Sequence, residues 1–150
     1  MLIYIAIVGI IFGLELWIKN YVEKKWEHDK KKPILYDLLV LQKYHNKGAF
    51  LNLGATKQKL VAIISITLTI VMLVIFALTF FQKGTSLMKT GLAFLLGGAF
   101  SNTYDRLKRK YVVDYVSLGI GNKGIRNTIF NISDVCILIG AVCIVLGSCE

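Results

Sequence analysis

Apolar residues along the chain gather in four runs, and the polar residues fall between them in segments of unequal size. The first run, Met1 to Ile18, is interrupted only by Glu15. With no basic segment ahead of it and no small-x-small cleavage site behind it, this run is expected to be a retained span rather than a cleavable signal peptide. The second extends from Leu60 to Phe81 without a charge, long enough to cross a hydrocarbon core of roughly 30 Å. The third, Leu87 to about Asp105, follows a short turn at Gln82 to Ser86 and is rich in small residues, among them Gly91, Gly97, Gly98 and Ser101. Small residues let helices approach closely in a membrane. The fourth, Ile129 to Leu146, is apolar except for Asn131, Ser133 and Asp134 near its start. The pattern predicts an all-α membrane protein of four transmembrane helices, about 1–19, 59–82, 86–106 and 128–148, forming a single integral membrane domain over 1–150.

The segment from Lys19 to Lys59 reads as a long polar loop whose lysine run, Glu23 to Lys32, is a solvated linker. Its semi-apolar stretch Ile34 to Leu41 suits either a β-strand or an interfacial segment. No internal repeat stands out.

Charge sharpens this picture. The 150 residues carry 18 Lys and Arg against 9 Asp and Glu, a formal net charge of +9, with 55% apolar residues. A nucleic-acid partner would need a soluble basic face. Here the basic residues flank apolar runs, where they anchor helix ends at anionic headgroups, so membrane lipids are the expected partner and no nucleic acid is. Cys136, Cys143 and Cys149 all lie in the last run. On one straight helix the first two have Cα atoms roughly 10 Å apart, too far for a disulfide. Neither His28 nor His45 shares a ligand spacing with them, so no metal is expected.

Ionisable groups in a span cost about 2.5 to 3.5 kcal/mol each on insertion scales. Glu15 sits near the end of the first run, Asp105 at the end of the third and Asp134 near the start of the fourth, with Asp114 in the adjoining loop. Four spans bring all of these to one side of the bilayer. Gly98, Asn102, Asp105 and Arg106 share a helical stripe, as do Asn131 and Asp134, while Glu15 and Lys19 stand in the favourable acid-before-base order. One account is structural, with Glu15 paired to Lys19, Asp105 or Asp134 paired to Arg106, and the amides satisfying backbone. The other is catalytic. Two adjacent carboxylates in low dielectric share a proton, which lets one activate water while the other polarises a scissile carbonyl.

In order, the polar blocks are Asn46-Lys-Gly-Ala-Phe50, Gly98-Ala-Phe-Ser-Asn102-Thr-Tyr-Asp105-Arg106, Val112-Val-Asp114-Tyr115 and Phe130-Asn131-Ile-Ser-Asp134. Order and spacing resemble the motif blocks of lipoprotein signal peptidase, the type II signal peptidase of bacteria, from about Gly13 to Gly140. The resemblance implies a multi-pass aspartyl endopeptidase of the bacterial plasma membrane with no metal or organic cofactor. It would cut signal peptides from diacylglyceryl-modified prolipoproteins before the lipid-bearing cysteine. Asp114 and Asp134 match the catalytic pair. Asn46 and Gly48 match a substrate-contacting motif, and Asn102, Asp105, Arg106 and Asn131 match supporting residues, with Glu15 and Lys19 beside them. Departures stand at Glu15 (usually Asp), Phe50 (usually small), Ser101 (usually Gly), Arg109 or Lys110 (near a usual Gly), Ser117 (often acidic) and Ser133 (usually Ala), marking a divergent member.

The resemblance also turns the site toward the extracytoplasmic face, with a monomer as the expected state. Sixteen of the eighteen basic residues then lie outside, between Lys19 and Lys59 or Arg106 and Arg126, against the positive-inside tendency. Binding of these external lysines to outer-surface anionic lipid reconciles the two. The alternative functions are a small proton or ion carrier working through Glu15, Asp105 and Asp134, and a non-catalytic lipoprotein-binding paralogue.

Overall fold

The structure is a computed structural model and describes residues 1–28, 30–48, 54–81, 86–121 and 128–148. Ala49, Phe50, Cys149, Lys123 and most of the turn after the second run therefore lie outside the described residues. The described chain forms four α-helices: α1 (Leu2–Lys25), α2 (Gln58–Thr79), α3 (Ser86–Lys108) and α4 (Ile132–Gly147). Two of them, α1 and α2 with its preceding 3-10 turn, are long and apolar enough to cross a membrane; α4 is apolar but shorter.

Helix α1 exposes most of its apolar surface and buries Glu15, Lys19 and Val22. A stripe at i, i+4 and i+7 is one face of a helix, so α1 turns charge inward and aliphatic side chains outward. A span in lipid has this polarity. The same stripe explains why α1 runs six residues past the predicted end at 19: Lys19 is buried against protein rather than released to water, and Val22 packs on the sheet.

Helix α3 is the hub on which α1, α2 and α4 all pack. Its small residues permit the close approach. A Cβ at Gly91 would meet the Gly140 carbonyl at 2.7 Å, and one at Gly98 would meet the Ser133 carbonyl at 2.4 Å. Gly91 with Gly98, and Ser133 with Gly140, are each seven apart, so two antiparallel helices touch backbone to backbone at matching heights.

The polar region contains a sheet, in keeping with the strand reading left open for the loop region. Strands β1 (Lys32–Ile34), β2 (Leu39–Asn46), β3 (Val112–Leu118) and β4 (Ile129–Phe130) pair antiparallel in that order. The stretch Ile34 to Leu41 straddles the β1–β2 hairpin instead of being one strand, and its turn residues Leu35, Tyr36 and Asp37 all have positive φ. Asp114, expected in a loop, sits within β3. Tyr44 lies directly opposite it, and the register shifts between Leu41 and Tyr44. Helix α3 hands over to β3 through Lys110 at φ 71, the left-handed conformation glycine adopts most easily.

Candidate active site

Alternation along β3 sends consecutive side chains to opposite faces. Val113 and Tyr115 pack on Val22 of α1. Asp114 faces the other way and is 1% exposed. Its Oδ2 accepts from Asn46 Nδ2 at 3.0 Å, two residues along β2 from its cross-strand partner Tyr44. Its Oδ1 accepts from Asn131 Nδ2 at 2.7 Å.

Asn131 is the N-cap of α4. Its Oδ1 accepts from the Asp134 backbone N–H at 3.0 Å, and Asp134 Oδ2 accepts from the Asn131 backbone N–H at 3.1 Å. This reciprocal capping box satisfies two donors that every helix start leaves unpaired. It also places the Asp134 carboxylate at the positive end of the α4 dipole. The one amide side chain therefore touches both members of the predicted pair. Burial and the neighbouring Asp134 charge push the Asp114 carboxyl from its ordinary 3.8 up to about 7.

Asn102 supports the second acid, its Nδ2 donating to Asp134 Oδ1 at 2.8 Å. Its Oδ1 accepts from Lys19 Nζ at 2.7 Å and from Asn131 Nδ2 at 3.3 Å. With both donors on the oxygen side, the amide's orientation is fixed. Lys19 is fully buried, also donating to Ser101 Oγ at 2.9 Å and lying 3.5 Å from Glu15 Oε2 and 3.4 Å from Asp105 Oδ2. The expected Glu15 and Lys19 pair is present, inside a larger cluster.

The α3 stripe divides. Asp105 points to the α1 and β3 side, where Arg109 Nη1 donates to its Oδ1 at 2.7 Å and the Val113 N–H to its Oδ2 at 3.1 Å. Arg106 points to the other side and donates to the Gly48 carbonyl at 3.0 Å and the Asn102 carbonyl at 3.3 Å. The ion pairs foreseen between Arg106 and Asp105 or Asp134 do not form; Asp105 takes Arg109 and Lys19 because they lie on its own face. Gly48 is placed by its N–H bond to Asn46 Oδ1 at 3.0 Å.

Two groups had no predicted role. The Tyr115 hydroxyl donates to Glu15 Oε1 and accepts from the Ile132 N–H at 3.2 Å, and Ser133 Oγ donates to Glu15 Oε2 at 2.8 Å. Their signal in the sequence was adjacency to the two aspartates and, for Ser133, its departure from the usual Ala.

A cavity of about 780 Å³ opens beside the pair. Asn46, Asn102, Arg106, Asp114 and Asp134 line its polar end, and the remainder is walled by α2, α3 and α4 with apolar residues such as Leu68, Met72, Leu95 and Leu138. Arg106, Asp114 and Asp134 are its only ionisable lining residues among those described. Among the described residues no acid stands deeper along the wall, as a proton relay would need.

The fold has solved counterparts. A bacterial membrane enzyme solved at 2.3 Å resolution matches with a TM-score of 0.82, covering 97% of this chain and 87% of that chain at 21% identity. A second, solved at 1.9 Å resolution, gives 0.81, 97% and 92% at 22% identity. At these identities the likeness is one of fold, and the two proteins that share it are bacterial membrane enzymes. The profile of the Signal peptidase (SPase) II family matches residues 7–149, and the chain belongs to this family. The lipoprotein signal peptidase of Clostridium tetani (strain Massachusetts / E88) is 30% identical over 144 residues, covering 93% of this chain and 89% of its own. That of Halothermothrix orenii (strain H 168 / OCM 544 / DSM 9562) is 26% identical over 145 residues, covering 97% and 93%. That of Moorella thermoacetica (strain ATCC 39073 / JCM 9320) is 24% identical over 139 residues, covering 93% and 87%.

Proposed function

We propose that this protein is a multi-pass aspartyl endopeptidase of the bacterial plasma membrane that removes the signal peptide from diacylglyceryl-modified prolipoproteins. It cuts before the lipid-bearing cysteine, with Asp114 and Asp134 as the catalytic pair and the site toward the extracytoplasmic face. Family membership supports the protease and its prolipoprotein substrate. The observation that carries the catalytic assignment is the Asn131 amide, which holds Asp114 and is locked in a capping box with Asp134 at the mouth of an apolar cavity.

One proton shared by the pair supplies both halves of the chemistry. The ionised carboxylate takes a proton from water, whose oxygen attacks the scissile carbonyl carbon. The protonated carboxyl donates to the carbonyl oxygen, giving a neutral tetrahedral diol. Collapse breaks the C–N bond as a proton passes to the leaving amine. The α4 dipole favours the charge on Asp134, and Asp114, pushed up to about 7, retains a proton near neutral pH. The apolar cavity offers its walls to acyl chains, and Arg106, Gly48 and Asn46 at its polar end offer contacts to the substrate backbone.

Cleavage of a diacylglyceryl-modified precursor by purified protein tests the assignment. Asp114→Asn and Asp134→Asn each lower kcat by at least about a thousandfold, the scale of losing an essential proton-transfer group, while the protein remains folded in the membrane. Ordinary processing by either variant overturns the assignment.

A further inference from the structure

Behind the carboxylate pair, on the face of β3 opposite Asp114, lies a second set of contacts that the chemistry above does not use. Glu15 of α1 is 1% exposed and Tyr115 of β3 is 4% exposed. The Tyr115 hydroxyl donates to Glu15 Oε1 and accepts the Ile132 N–H at 3.2 Å. Ser133 Oγ donates to Glu15 Oε2 at 2.8 Å. Ile132 and Ser133 are the first two residues of α4, and the third is Asp134.

We propose that Tyr115, held by Glu15, is a positioning residue for Asp134: it ties the first turn of α4 to α1 and β3 and so fixes the distance between the two carboxylates from behind. The inference rests on the assignment of Asp114 and Asp134 as the catalytic pair. Three physical points carry it. The first N–H groups of a helix have no intrahelical acceptor, and Tyr115 supplies one to Ile132, so the oxygen governs where the helix begins. Adjacent residues of one strand point to opposite faces; β3 thus presents Asp114 to the cavity and braces the helix of the other acid with the next residue. Glu15 accepts at both carboxylate oxygens from groups on β3 and α4, and Lys19 lies 3.5 Å from it, so the brace is anchored by a charge that is itself compensated. Burial and the adjacent Glu15 carboxylate raise the Tyr115 hydroxyl above its ordinary range, keeping it protonated as a donor.

Tyr115→Phe keeps the ring on Val22 and removes only the oxygen. With a diacylglyceryl-modified precursor, kcat is expected to fall about 10- to 100-fold with KM little changed, as befits slight misplacement of a reacting group. The pH limbs of kcat should also move, because the mutual repulsion of the carboxylates depends on their separation. A role confined to stability lowers the Tm yet leaves kcat per folded molecule and both pH limbs unchanged, and that result overturns the proposal. Should Tyr115→Phe fail to accumulate in membranes, Ser133→Ala decides: displaced pH limbs support the brace, and a wild-type profile and kcat overturn it. Asp114→Asn and Asp134→Asn run alongside. Loss of cleavage in both, with wild-type kinetics in Tyr115→Phe, rejects the brace alone, whereas cleavage by either Asn variant rejects the pair on which it rests.

Discussion

Asn131 caps the α4 backbone through its oxygen and donates to Asp114 through its nitrogen, so the local rule that starts a helix also sets one carboxylate beside the other. This economy of groups has a cost in stability, visible at Asp114. Its carboxyl is pushed from 3.8 up to about 7 by burial and by the Asp134 charge. A carboxyl raised on folding contributes stability that is fully present below about pH 4 and is lost as pH rises through about 7. Asp114→Asn lacks this penalty. Thermal unfolding in detergent should show it gaining on wild type between pH 4 and pH 8, by an amount on the order of 4 kcal/mol; parallel pH dependences would refute the raised carboxyl. Wild-type cleavage should for the same reason decline above about pH 7 as the shared proton leaves.

At the scale of elements, the helices were legible because lipid demands long apolar runs, and composition alone marks those. Boundaries slipped where charge turned inward. Lys19 reads as the start of a solvated loop, yet it is fully buried among Asn102, Ser101, Glu15 and Asp105, and nothing in a single sequence reports a partner some eighty residues away. Val112 to Leu118 reads as a loop for the same reason, since its strand character depends on pairing with β2. Asn131 and Asp134 read only as sharing a helical face, because a capping box shows itself once the helix start is placed at Asn131. The choice of Asp114 over Asp105 came from the family resemblance. The small residues of α3 carried a clearer message, and they give a test. A Cβ at Gly140 would meet the Gly91 carbonyl at 2.5 Å and the Leu95 nitrogen at 2.7 Å. Both are backbone atoms, so neither yields by a rotamer change. Gly140→Val should therefore push α4 off α3 and destabilise by about 1 to 3 kcal/mol or more, seen as a lower Tm. The loss of activity should exceed the loss of stability, because α4 carries Asp134 and α3 carries Asn102.

For the whole molecule, the decisive relation is between the polar end of the cavity and the bilayer. Four helices that all cross would set the sheet, the mouth of α1 and the start of α4 on one side. Glu15, Asp105, Asp114 and Asp134 then share a single depth near the interface, with the apolar part of the cavity running along α2 and α4 toward the hydrocarbon. A substrate whose cysteine carries two acyl chains would lay them there, its peptide bond reaching the pair above. Removing the lipid removes most of that burial, at about 0.8 kcal/mol per CH₂, so an unlipidated precursor should be cut at least about a hundredfold more slowly in kcat/KM. Equal rates on the two precursors would exclude the cavity as the acyl site. With the site toward the extracytoplasmic face, as proposed, Lys24, Lys25, Lys30 and Lys47, all exposed, would lie on that side, against the usual bias of basic loops. Single cysteines at Lys30 and Lys47 should react with an impermeant thiol reagent added outside intact cells, on a background from which the native cysteines have been removed. Labelling only from the cytoplasm would invert the molecule. It would also separate the pair from exported substrate, since the carboxylates, Asn46 and these lysines occupy one end of the helices and must face one compartment together.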